Sequence, residues 1–207
     1  GVPVDSEPIA NRVFAEMLQE LGLSISVHEM YEQFVGYSMS HCMQLIEHKL
    51  GRAAPEDFEQ RLQERTSAAY EAAPLKPTPG IIEALDAITL QVCVASSGEL
   101  AKMQLTLGLT GLLPRFAGRL FSVTQVAHGK PAPDIYLHAA KTLGAAPHAC
   151  VVVEDSPVGA AAGIAAGMTV LGYSAHTDPQ KLERVGVYRT FAEMRELPGL
   201  IERIATS

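Results

Sequence analysis

The sequence predicts an α/β protein: a parallel sheet between layers of helix, with a small helical domain inserted near the start. Three observations lead there. The first third of the chain, to Leu75, shows helical periodicity and no alternating strand pattern. The stretch LKPTPG, Leu75 to Gly80, crowds two prolines and a glycine together and marks a hinge. Beyond it, short apolar runs such as QVCVA and VVV alternate with helical stretches, as in a parallel sheet buried on both faces. A chain of 207 residues holds one such core plus an insert, and buries it without a metal or disulfide staple.

The elements follow in order. Ala10 to Leu21 places Val13, Met17, Leu18 and Leu21 on one helical face, and Gly22 stops it. Ser38 to Leu50 carries Met39, Met43, Leu45 and Ile46 at helical spacing, with Gly51 after it. Ala54 to Ala73 is a polar helix whose only breaker, Pro55, sits where a first turn tolerates proline. After the hinge, helices are expected over Gly80 to Ile88, Glu99 to Leu107, Pro133 to Leu143 and Pro157 to Ala166. Between them, strands are expected over Gln91 to Ala95, Arg119 to Val123, Cys150 to Val153 and Met168 to Tyr173. Leu182 to Gly186 leads into an edge strand at Val187 to Thr190.

Composition removes several classes of function. Sixteen basic residues against 23 acidic ones give a net charge of -7, which excludes a phosphate-backbone binder, so no nucleic-acid partner is expected. Cys42, Cys93 and Cys150 stand far apart, without metal-ligand spacing, as reduced thiols of a cytoplasmic protein do. No basic start followed by an apolar stretch marks a targeting signal. The best membrane candidate, Pro157 to Tyr173, is mostly alanine and glycine, whose transfer energy is small; it reads as a tightly packed helix, and no membrane partner is expected.

In a parallel α/β sheet the ligand sits at the carboxyl ends of the strands. Ser96, Ser97 and Gly98 follow the first expected strand; Gly129, Lys130 and Pro131 follow the second; Glu154 and Asp155 follow the third. Adjacent carboxylates after an apolar run suit a hard divalent cation, Mg²⁺, and equally suit an acidic helix N-terminus. Ser-Ser-Gly reads as a helix cap, or as a hydroxyl with backbone N–H groups cradling a phosphoryl oxygen. Lys130 is a fixed cation between glycine and proline, or an ordinary surface lysine. Together a hydroxyl, a cation and a diacid in this order are what phosphoryl transfer requires. A nucleophile is missing, no Ser-His-Asp or HExxH pattern is present, and only His128 lies close to Lys130 in sequence.

At this point the sequence resembles the haloacid dehalogenase superfamily, in its phosphatase and phosphomutase branch with a helical cap. GVPVDSE (Gly1 to Glu7) resembles the tail of the first motif, usually DxDGVxxDSE. VASSG (Val94 to Gly98), GKPAPDIY (Gly129 to Tyr136) and VVVEDSPVGAAAGIAAGM (Val151 to Met168) resemble the second, third and fourth, in family order. The resemblance implies a Rossmann-like three-layer core over 1–8 and 76–207 and a cap over 9–75, hinged at Pro8 and near Pro77 to Gly80. It implies Ser96 and Lys130 as catalytic residues, with Ser97 and Gly98 completing the phosphate cradle. Glu154 and Asp155 would hold Mg²⁺, and the loop residues Gly36, Tyr37, Ser38 and Met39 would choose the substrate.

The family mechanism uses an aspartate that attacks phosphorus and a second, two residues later, that serves as acid and base. Both would lie just before Gly1, with the first strand, so the expectation is a sequence that starts late. Met39 stands where β-phosphoglucomutases carry an arginine, and Ala10 where they carry a histidine. The function expected is therefore hydrolysis of a small phosphorylated metabolite, a sugar phosphate or sugar-acid phosphate. The alternatives are a phosphomutase using Arg12 or Lys49 as its cap cation, or a non-catalytic protein of this fold if the chain truly starts at Gly1.

Overall fold

Apolar spacing sorts the chain into two units in the computed structural model, which describes residues 1–26, 29–30, 33–34, 39–72 and 75–206. One unit is Ser6–Leu75; the other joins Gly1–Asp5 to Lys76–Ser207. The sequence readings at Gly36, Tyr37 and Ser38 lie outside the described residues.

The smaller unit contains α1 (Glu7–Glu20), α2 (Met39–Leu50) and α3 (Phe58–Ala72). Proline in the first turn of α1 costs no hydrogen bond, because that N–H has no partner within a helix. Val13, Phe14, Met17 and Leu18 fall on its buried face. Phe14 meets the Phe34 ring edge-on at 5.3 Å and the Phe58 ring at 6.1 Å, so three aromatic rings form the centre of this core. The helix expected from Ala54 starts only at Phe58, because a turn in which the Phe58 N–H donates to the Pro55 carbonyl occupies its first residues.

The larger unit opens with an antiparallel bridge between Val4 and Pro77. Its helices are α4 (Ile81–Ala87), α5 (Leu100–Leu109), α6 (Asp134–Thr142), α7 (Pro157–Ala165), α8 (Pro179–Val185) and α9 (Leu197–Ala205). Its strands are β1 (Val94–Ser96), β2 (Leu120–Ser122), β3 (Val151–Glu154), β4 (Thr169–Tyr173) and β5 (Arg189–Phe191). All pairings between these strands are parallel, as the alternation of strand and helix predicts. They form two ladders, β1–β2 and β3–β4–β5. One core serves both: Phe121 of β2, Val152 of β3 and Val170 of β4 pack with Ile135, Tyr136 and Ala139 of α6 and Ala160 and Ala162 of α7.

Two expectations shift for identifiable reasons, and one helix lies where none was expected. The first strand begins at Val94 rather than Gln91, since its pairing with β2 starts at the Val94–Leu120 register. The last strand lies at Arg189–Phe191, set by pairing with Leu171 to Tyr173. Helix α9 was not assigned from sequence, although Leu197, Leu200, Ile201 and Ile204 recur at helical spacing.

The segment Pro157 to Tyr173 divides into α7, a turn at Gly167 and β4. Among the described residues no helix is long and apolar enough to cross a membrane. The cysteines are free. Burial, with Cys150 nearby, pushes the Cys93 thiol up to about 11.

The small residues of α7 let it lie close on the sheet. A Cβ on Gly163 would stand 2.8 Å from Val170 Cγ2 and 3.3 Å from Val152 Cγ1. Two valines on a buried strand pair have little room to retreat. Gly163→Ala should therefore destabilise the protein by about 1–3 kcal/mol despite alanine's better helix propensity. Urea denaturation with an unchanged m-value is the measurement; a gain in midpoint would show that the sheet yields.

Candidate active site

The carboxyl ends of β1, β2 and β3 carry the candidate residues. Beyond β1 the chain turns at once: the Gly98 N–H donates to Ser96 Oγ at 3.0 Å. Ser122, fully buried at the end of β2, donates its hydroxyl to the Gly98 carbonyl at 2.9 Å. Thr124 Oγ1 donates to Ser122 Oγ at 3.0 Å, so the loop Ser96–Gly98 is pinned from the neighbouring strand. Ser97 at its tip is exposed.

Glu154 ends β3 and is 7% exposed. A buried carboxylate requires donors, since removal from water costs several kcal/mol per ion. It has them: Lys130 Nζ donates to Oε1 at 2.5 Å, the Tyr136 hydroxyl donates to the same oxygen at 2.5 Å, and Ser156 Oγ donates to Oε2 at 3.2 Å. Ser156 also caps α7, accepting from the Gly159 N–H at 3.1 Å. A Cβ on Gly159 would fall on the Glu154 carboxylate, so any side chain there requires the carboxylate to shift from its donors.

Lys130 makes two further contacts. Its ammonium donates to the Ala95 carbonyl of β1 at 3.2 Å and lies over the Tyr136 ring at 4.8 Å. One buried cation thereby ties the end of β1, where the Ser96 loop begins, to the end of β3. Burial first, and the Glu154 charge second, push the Tyr136 phenol well above its ordinary range, which keeps its hydroxyl a donor.

Asp155 differs from its neighbour. Its side chain is 31% exposed, and its Oδ2 is 2.7 Å from the Gly1 amino nitrogen. Its carbonyl accepts from Thr177 Oγ1 at 2.7 Å. The two acids thus do separate work: Glu154 is enclosed by donors, whereas Asp155 is turned outward beside the start of the chain.

The donor chemistry fits Mg²⁺ in part. Asp155 supplies a hard, accessible oxygen, and Glu154 Oε2 supplies a second that, among the described residues, a serine hydroxyl alone engages. Mg²⁺ is held by one or two carboxylates with waters and phosphate filling the rest of its octahedron. Among the described residues no group of three His, Cys, Asp or Glu side chains could hold a metal.

The geometry thus joins Lys130 directly to Glu154, and through Ala95 to the chain that carries Ser96. Met39 opens α2 in the smaller unit with its side chain exposed. His128 is occupied elsewhere: its Nδ1 lies 3.0 Å from Asp134 Oδ2 at the first residue of α6, and its ring is 75% exposed. Sequence reading assigned no role to Tyr136, Ser122, Ser156 or Gly159. A signal for Tyr136 existed, because it falls on the buried face of α6 and a buried phenol requires a partner. Gly159 carried no such signal, since its constraint comes from a carboxylate folded back over the helix start.

The profile of the haloacid dehalogenase-like hydrolases matches residues 1–167. The chain belongs to this family. As a haloacid dehalogenase-like hydrolase it is 31% identical over 202 residues to a 6-phosphogluconate phosphatase of Escherichia coli, covering 97% of this chain and 90% of that protein. It is also similar to a haloacid dehalogenase-like protein of unknown function from Agrobacterium tumefaciens, with a TM-score of 0.84, 32% identity and coverage of 99% and 95%. A family hydrolase from Deinococcus radiodurans, solved with bound phosphate and sodium, matches with a TM-score of 0.77, 31% identity and coverage of 99% and 93%. The solved relatives share the α/β fold of this chain.

The Gly159 constraint in this hydrolase is testable. At the third residue of an exposed helix start, Gly→Ala stabilises by about 0.4–1 kcal/mol. Here Gly159→Ala should instead destabilise by about 2–4 kcal/mol, because it drives a buried carboxylate from its donors. A variant with a raised midpoint in urea would show that Glu154 moves without penalty.

Proposed function

We propose that the protein is a Mg²⁺-dependent phosphatase that hydrolyses a small phosphorylated metabolite, a sugar phosphate or sugar-acid phosphate, through an aspartyl-phosphate. The observation that carries this reading is the Lys130 ammonium, buried yet held at the strand ends by Glu154, Ala95 and the Tyr136 ring. A fixed cation there neutralises phosphoryl oxygens without reorganising during the reaction.

The other residues take complementary parts. The N–H groups and hydroxyls of Ser96, Ser97 and Gly98 receive the remaining phosphoryl oxygens. Asp155, with Glu154, holds Mg²⁺; the ion, when bound, supplies electrostatic compensation for the charge on the phosphoryl group. The nucleophile and the acid/base are aspartates of the segment leading into Gly1. In support, the Gly1 nitrogen stands against Asp155, so residues joined to it would lie beside the acidic pair. The first aspartate attacks phosphorus and the ester oxygen leaves with a proton from the second; water then opens the acyl phosphate.

The E. coli relative supports a sugar-acid phosphate as substrate, and the phosphate found in the D. radiodurans hydrolase supports a phosphate site. Residues Gly36, Tyr37, Ser38 and Met39 remain the proposed choosers of substrate.

Full-length protein incubated with a panel of phosphate monoesters should release inorganic phosphate rather than isomerised sugar phosphate, and EDTA should stop it. Turnover indifferent to EDTA, or none across the panel, would refute the proposal. Asp155→Ala should abolish the Mg²⁺-dependent rate while leaving circular dichroism unchanged. Lys130→Ala should lower kcat/KM by roughly 10²–10³, the loss of one preorganised charge contact.

A further inference from the structure

We infer that Tyr136 is a positioning residue for Lys130 and Glu154, and that its hydroxyl keeps Lys130 available to phosphate. The inference deepens the phosphatase reading and rests on it for the identity of the ligand.

Two independent contacts carry it. The Tyr136 hydroxyl and Lys130 Nζ both donate to Glu154 Oε1, each at 2.5 Å. The same tyrosine also places its ring 4.8 Å from Lys130 Nζ. Tyr136 is 6% exposed, and its α6 packs on β1 and β2, so its orientation is fixed by the core. A side chain present only to fill space would need neither contact.

The consequence follows from charge sharing. An ammonium facing a buried carboxylate alone is neutralised by it, and little attraction remains for a second anion. A phenol donating to the same oxygen takes up part of that carboxylate's hydrogen-bonding capacity. The ring face meanwhile holds the ammonium in place without neutralising it. The Ala95 carbonyl fixes a third direction. Among the described residues Lys130 is thereby located by three groups and neutralised by one.

The deciding probe is inorganic phosphate, titrated calorimetrically into the full-length protein in EDTA, alongside steady-state kinetics with Mg²⁺. Tyr136→Phe keeps the ring and removes the hydroxyl. It should weaken phosphate binding and lower kcat by roughly tenfold, the worth of one charge-assisted hydrogen bond, with KM for the ester changed by less than about twofold. In a Lys130→Ala background the same substitution should change neither quantity, because Tyr136 acts through Lys130. Tyr136→Phe with wild-type phosphate affinity overturns the inference. So does an equal tenfold loss in the Lys130→Ala background, which would mark a general packing defect.

A measurement on the unsubstituted protein covers the case in which the variant does not fold. The Lys130 ammonium protons should be shifted upfield by the Tyr136 ring in nitrogen–proton NMR spectra, and a random-coil shift overturns the assignment. If the wild-type protein hydrolyses no monoester, the activity reading falls, while phosphate binding and the NMR shift still decide the role of Tyr136.

Discussion

The buried carboxylate of Glu154 is the constraint on which the larger unit depends. It ends β3, whose apolar run is VVVE, it is buried, and it draws in a donor from three different parts of the chain. Lys130 comes from the loop after β2, Tyr136 from α6 and Ser156 from the start of α7. Each of those segments must be in place for the charge to be satisfied. Removing one partner from such a group leaves a buried charge uncompensated, which is why the arrangement is more sensitive than its small size suggests.

The two helix-start residues Ser156 and Gly159 show how one turn serves both structure and chemistry. Ser156 accepts the Gly159 N–H and donates to Glu154, so a single hydroxyl caps the helix and steadies the carboxylate. Glycine at 159 leaves the volume the carboxylate occupies, and glycine at 163, one turn on, lets the same helix lie against Val152 and Val170. The alanine- and glycine-rich character of α7, which reads in isolation as weak hydrophobicity, is close packing at one end and clearance for a charge at the other.

Much of this was legible in the sequence. Period and breakers located the helices and the hinge, since both depend on local residue type. Strand ends were also legible, because parallel strands buried on both faces must be apolar and stop where polar residues begin; hence Ser96 and Glu154 were found by following QVCVA and VVV. Strand starts were not, because pairing register decides them: Gln91 to Cys93 have strand-like composition but stand ahead of the first β2 partner. The acidic pair was legible as a pair, yet its division into an enclosed Glu154 and an outward Asp155 depends on Tyr136, 18 residues earlier on α6, and no spacing rule connects them.

That division explains why adjacent acids at a strand end need not be equivalent. Successive residues leaving a strand point to opposite sides. Glu154, the last residue of β3, turns inward to Lys130 and Tyr136, and Asp155 turns outward, where its backbone carbonyl is fixed by Thr177. An inward acid can set the position of a cation but is screened by its own donors; an outward acid keeps a free oxygen for a ligand. The alternation at one strand end thus yields two environments, with Glu154 holding the Lys130 ammonium and Asp155 turned outward beside Gly1.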